Sequence, residues 1–323
     1  MKSLRPKLCL FVLAALVLQL GCSIESRMLK PIADFESATG VVVANAKLSY
    51  GELNRVEMIR AVKTAARLHQ RLDPKKIEKV KVLTGEDLAT RLDALEKLDE
   101  YSKLLSSIVK SDLPSQIANS ASEMETALNG LADRIDKLSE PAAAANGEAG
   151  EKPNTRKFKE TFGVFSAVAR EVLGFLARKK RDEALKRAIR DGDKPVNELI
   201  TALQQDLTIA WIVARKNLDD DMVLVFRAYN TEAVKEVPSQ DRLNELADAV
   251  IANLEAQDLF YATDPNEALN NMKTAQAKMV EYANRPTESS FTETIAAIDT
   301  FVSSAARLGS AVVKLRTVEA NNS

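Results

Sequence analysis

Apolar residues along this chain recur at alternating spacings of three and four, the period of one helix face and not of a strand. The clearest stripes are Ile117, Ala121, Met124, Leu128, Leu131, Ile135, Leu138, then Phe158, Phe162, Phe165, Ala169, Val172, Leu176, and finally Phe291, Ile295, Ile298, Val302, Ala305, Leu308, Val312, Leu315. Each stripe covers one side of a helix of about six or more turns and has to bury itself against neighbours. Continued along the chain, the pattern predicts helices over residues 31–50, 52–72, 74–82, 86–110, 113–139, 156–190, 195–230, 240–262, 265–284 and 288–318. The first has the weakest signal, because Val41, Val42 and Val43 are stiff at χ1 and Gly40 and Gly51 lower helix propensity. No segment alternates with period two between hairpin turns. The expectation is an all-α protein, an elongated antiparallel multi-helix bundle.

Prolines punctuate the pattern. Asp73-Pro74, Asp112-Leu113-Pro114, Asp193-Lys194-Pro195, Pro238-Ser239 and Asp264-Pro265 each set a proline beside a residue able to accept a bond from first-turn amides. Thr84-Gly85-Glu86-Asp87 resembles a capping box. One clear interruption, residues 141–154 (PAAAANGEAGEKPN), has no large apolar residue to anchor it. It either separates two helical lobes or forms a long loop within one bundle, and the apolar faces on both sides favour the single bundle. The phrases LPSQIANSASEM (113–124) and VPSQDRLNELAD (237–248) share only a helix-start pattern, not a repeat.

The first 22 residues are patterned differently. Lys2, Arg5 and Lys7 precede an apolar core over residues 8–18, and Gly21-Cys22 closes it in the manner of a secretory signal. The core is too short to span a bilayer, which needs roughly 20 apolar residues. With its cysteine directly after a small residue, the segment resembles a bacterial lipoprotein signal. That resemblance implies cleavage before Cys22 and acylation of its thiol. It covers this terminus alone, and Gln19 stands where such signals usually carry Leu. The alternative is ordinary cleavage near Ser23, which gives a product without lipid. The layout expected from pattern and resemblance together is a signal peptide over 1–21, a tether over 22–30, a helical region over 31–140, a linker or loop over 141–155, and a second helical region over 156–318 packed with the first.

Composition agrees with a folded, exported helical body. Glycine (11) and proline (10) are scarce in 323 residues, and hydrophobic residues reach 46% with only 5% aromatics. Without Lys2, Arg5 and Lys7, 42 of the 45 Lys+Arg remain against 46 Asp+Glu, a net charge near −4. Such a balance offers no general attraction to nucleic acid or anionic lipid. Both cysteines, Cys9 and Cys22, lie in the signal segment, so the mature body has no thiol pair to oxidise.

Candidate chemistry is sparse. The single histidine, His69, follows Ala65-Ala66-Arg67-Leu68 with no acid three residues before it, which removes the Glu-x-x-His pattern of carboxylate-bridged metal bundles. It reads as a partly exposed helix residue without catalytic duty. With no available thiol, a Cys-His site is excluded and tetrahedral zinc would need carboxylates for most of its ligands. No nucleotide-binding glycine motif occurs. Asp219-Asp220-Asp221 offers hard-cation ligands, yet successive helical residues point about 100° apart, so a solvated turn or helix-start cluster is the plainer reading. Arg178-Lys179-Lys180-Arg181, continued by Lys186, Arg187 and Arg190, offers a docking patch for acidic groups. The interspersed Asp182, Glu183 and Asp191 favour a solvated face of helical ion pairs instead. Trp211, in an apolar stretch over 207–214, is expected at the centre of the core, with a pocket wall as the lesser reading. No metal or cofactor is expected.

A tether joined to a long helical body is the layout of a protein that reaches from a membrane to something else. The leading expectation is therefore a non-enzymatic envelope lipoprotein that binds an envelope protein partner through helical surfaces. Its anchor would be acyl chains on Cys22, and in a source with two membranes Ser23 after Cys22 implies the outer membrane, facing the periplasm. Self-association into a homo-oligomer is a variant. A second expectation is a carrier of an apolar small molecule or lipid between residues 158–176 and 196–214. A hydrolase or lyase built on Ser, Lys or carboxylates is the third, with no motif behind it.

Overall fold

A computed structural model describes residues 23–79, 81, 83, 85–110, 172, 174–175 and 180–321. The expected helix over 113–139, the linker over 141–155, most of 156–179 and Cys22 lie outside these residues. The described residues are all-α: α1 (Ile24–Arg67), α2 (Pro74–Lys79), α3 (Gly85–Lys110), α4 (Arg181–Ala233), α5 (Gln240–Tyr261), α6 (Pro265–Asn284) and α7 (Glu288–Asn321). There is no strand among them.

Helix starts fall where the local caps put them. Ser23, Ser239 and Asp264 accept from Ser26 N–H (3.3 Å), Arg242 N–H (3.3 Å) and Asn266 N–H (2.8 Å), and Asp73 accepts from Lys75 N–H (2.9 Å) ahead of Pro74. Pro195, expected to mark a helix start, and Pro31, the first residue of the helix expected over 31–50, instead lie inside helices. Pro31 interrupts one bond of α1, yet Met28, Ile32 and Phe35 on either side of it are fully buried, so tertiary packing carries the helix through. Residues 24–30 are thus not a spacer: Ile24 and Met28 belong to the core, and the residues expected as tether form the first turns of α1. The same packing fuses the helices expected over 31–50 and 52–72. Likewise Pro195 sits within α4, whose buried face runs unbroken through Leu185, Ile189, Val196, Ile200 and Leu207.

Cross-links fix the topology. Arg181 meets Glu25 (2.8 Å) and Arg27 meets Glu288 (2.5 Å), so α1, α4 and α7 start together. Phe35 then packs on Phe301 with ring centroids 5.4 Å apart, higher along the same pair, and α1 and α7 run parallel. Lys110 reaches back to Glu36 (2.8 Å), and the Asn54 amide exchanges two bonds with the Leu83 backbone (2.8 and 2.9 Å), so α3 returns antiparallel to α1. Downward from the far end, α5 and then α6 descend along α4: Tyr261 meets Asp219, Asn266 meets Thr208, and Gln204 meets Asn270. One core cluster draws residues from α1, α3, α4, α6 and α7, so residues from both predicted helical regions share it.

Its centre contains a polar bridge. Tyr101 Oη donates to Gln276 Oε1 (3.1 Å), and Gln276 Nε2 donates to the Ile189 carbonyl (3.0 Å), which ties α3, α6 and α4 together. Burial pushes the Tyr101 hydroxyl well above the usual phenol range. Gly192 admits the tyrosine ring, because a Cβ there would stand 2.5 Å from Tyr101 Cε2.

Candidate interaction surface

Among the described residues the upper part of α4 leaves the main core after Leu207 and pairs with α5 over most of its remaining length, around a small cluster of Leu218, Ala256 and Phe260. Trp211 joins the two clusters: it stacks on Phe260 at 3.9 Å between ring centroids and 9° between planes. It is only partly buried, so it is a hinge of packing between two cores and not the centre of one. Glu232 closes the tip, accepting from Lys235 Nζ (2.5 Å) and from the Ser239 N–H (3.0 Å). The Lys235 ammonium, then that amide, hold its carboxyl below the usual range.

A two-helix arm has too little interior to hide its apolar residues. Leu224 is 60% exposed, Ile251 54%, and Val234 and Val237 at the tip 82% and 87%. Between α4 and α5 lies an open groove of about 740 Å³ with a floor of Leu224, Val225, Ala228, Leu246, Ala249 and Ala252. Asp221, Arg242, Glu245 and Asp248 stand at its edges. Alanines on both helices keep the groove open, and charges of both signs flank it. Lower on α5, Glu255 is held by Lys314 Nζ (2.6 Å), so the end of α7 lies just below this groove.

The other singled-out residues fall into structural roles. Ser23, which follows Cys22 in the sequence, caps α1, while Cys22 itself lies outside the described residues. His69 lies just past α1 with φ 51°, and Gln70 N–H bonds the Ala65 carbonyl (2.8 Å) while His69 N–H bonds that of Ala66 (3.1 Å), closing the helix end. The three aspartates sit mid-helix in α4, not at a turn or helix start, and diverge accordingly. Asp219 Oδ1 accepts from Gln257 Nε2 and Tyr261 Oη (both 2.7 Å), with Arg215 over the Tyr261 ring at 4.0 Å, while Asp221 faces the groove. Among the described residues no group of three or more His, Cys, Asp or Glu gathers as a metal site.

In the basic run Arg181 pairs with Glu25, Lys186 with Glu183 and Arg187 with Asp191, an ion-paired face. Arg178 and Lys179 lie outside the described residues. Of the two segments between which a carrier pocket was expected, most of 158–176 lies outside the described residues, and in the other Val196, Leu199, Ile200, Leu203 and Leu207 are buried in the main core with at most 3% exposure. Lys273 Nζ donates to Thr201 Oγ1 (2.7 Å) and Gln204 Oε1 (3.0 Å) and so clasps α6 to α4. Burial lowers the pKa of this lysine. No described helix is long and apolar enough to cross a membrane.

The arm was not singled out from sequence, although its signal is there: Val223-Leu224-Val225-Phe226 exceeds what one buried stripe needs, and Val234 and Val237 flank a turn. No protein-family model, no curated protein and no solved structure matches the chain.

Proposed function

We propose that this protein is a membrane-tethered helical envelope lipoprotein that works by holding a protein partner, without chemistry of its own. The observation that carries this reading is the position of the arm. Cys22 adjoins Ser23, whose helix starts beside the start of α4 through the Glu25–Arg181 pair, whereas the exposed apolar groove lies at the far end of α4. At 1.5 Å per residue the 53 residues of α4 measure about 80 Å. A lipid on Cys22 would fasten one end of a stiff rod, with no flexible spacer, and present the groove at the other. A shallow groove with alanines in its floor and charged edges suits an amphipathic helix of the partner.

The anchor is tested by growing the producing cells with labelled palmitate and separating membranes from the soluble fraction. The expected result is a labelled protein in membranes, and a Cys22→Ala variant that is unlabelled and soluble. An unlabelled wild-type protein in the soluble fraction would overturn the tether.

A further inference from the structure

A second apolar surface lies on the outward face of α4, on the other side of that helix from the groove. Ile212, Val223 and Phe226 are exposed there, and Val234 follows just past the helix end. At 100° per residue these four fall within about 80° of arc, and with Lys216, Asp219, Arg227 and Asn230, which share the face, the whole spans about 100°. We infer that this face pairs with the same face of a second copy of the chain, antiparallel, about a two-fold axis through Val223.

Charge selects the occupant and the register. Asp219 and Arg227 stand four residues before and after Val223, and Ile212 and Val234 stand eleven residues before and after it. In an antiparallel pair centred on Val223, Asp219 faces the partner's Arg227, and symmetry makes that contact twice. Ile212 faces the partner's Val234 in the same register. A parallel pair would set Asp219 against the partner's Asp219 and Arg227 against the partner's Arg227, which repel. The groups are available for this use. Arg227 is exposed, and among the described residues its guanidinium has no hydrogen-bond or ion-pair partner, the bond from Thr231 Oγ1 falling on its backbone carbonyl. Both bonds to Asp219 fall on Oδ1, which leaves Oδ2 for a cation.

The pairing does not rest on the groove or on the lipid. If Cys22 is also acylated, the two Ser23 ends of such a pair lie at opposite extremes, so tethered copies would meet from facing membranes and not within one leaflet.

The test is sedimentation equilibrium of the full chain in mild detergent, where the anchor reading has no bearing on the outcome. The wild-type chain is expected to dimerise. Arg227→Asp, and separately Asp219→Arg, each turn two attractions into two repulsions and should weaken the dimer about tenfold or more. The double variant Asp219→Arg/Arg227→Asp restores both pairs and should recover most of that loss. Arg227→Asp breaks no side-chain hydrogen bond or ion pair among the described residues, so its melting curve should match wild type and separate loss of pairing from loss of fold. A wild-type monomer up to about 0.1 mM, a dimer indifferent to either swap, or a double variant no better than the singles would each overturn the inference.

Discussion

Arg181 donates to Glu25, 156 positions earlier in the chain, at 2.8 Å, and joins the first turn of α4 to the first turn of α1. Asp182 Oδ1 accepts the Glu25 N–H at 2.9 Å beside it, so the junction is doubled. Both side chains of the ion pair are about three-quarters covered, which places the pair above an exposed surface contact. Arg181→Ala should lower stability by about 1 kcal/mol, read as a shift in urea midpoint, and Glu25→Gln should move it in the same direction. No change in either variant would mean that the Arg181–Glu25 pair does not help to fasten the starts of α1 and α4.

Gly192 is required by the Tyr101 ring. Alanine is the better helix former by about 1 kcal/mol, yet here its Cβ would meet ring carbon at 2.5 Å. Gly192→Ala is expected to cost about 1–3 kcal/mol, and to cost less in a Tyr101→Leu background where the ring edge is gone. Thermal melts of the two single variants and the double variant measure the coupling.

At His69 the same reasoning runs the other way. A positive φ of 51° suits glycine, and the side chain is exposed. His69→Gly should stabilise the end of α1 by about 0.5–1 kcal/mol, seen as slower hydrogen exchange at the Leu68 and Gln70 amides.

The tip of the arm should be acid-labile. The Glu232 carboxyl lies below its ordinary value of 4.5, chiefly through Lys235, so its contribution is complete above that value and disappears as pH falls through the lowered one. Protection of the Ser239 amide, which donates to Glu232, should therefore be full at neutral pH and be lost as the solution is acidified below the ordinary carboxylate value of 4.5. In Glu232→Gln the protection should be weak throughout and insensitive to pH over that range.

Local chemistry made some of this fold legible and packing hid the rest. The helix expected over 265–284 coincides with α6, and 86–110 differs from α3 by one residue, because Asp264-Pro265 and the stretch after Thr84 announce themselves within a few positions. Pro31 and Pro195 misled for the opposite reason: a proline's local penalty is visible in sequence, while the burial of Met28, Ile32, Val196 and Ile200 that offsets it comes from partners far along the chain. Trp211 was readable as buried apolar surface, but its place between two cores depends on where α5 begins and ends. The groove itself was least legible, since Leu224 and Ala249 are ordinary helix residues until neighbours fail to cover them.

The central claim, that the arm at the far end of the bundle holds a partner protein, is tested most directly by site-specific photocrosslinking in intact producing cells. A photoreactive residue replaces Leu224 in the groove or, as a control, exposed Thr300 on α7. One discrete protein adduct is expected from position 224, absent from position 300 and abolished when Ala249→Trp fills the groove. A diffuse set of adducts shared by both positions, or a discrete adduct that survives Ala249→Trp, would contradict the claim.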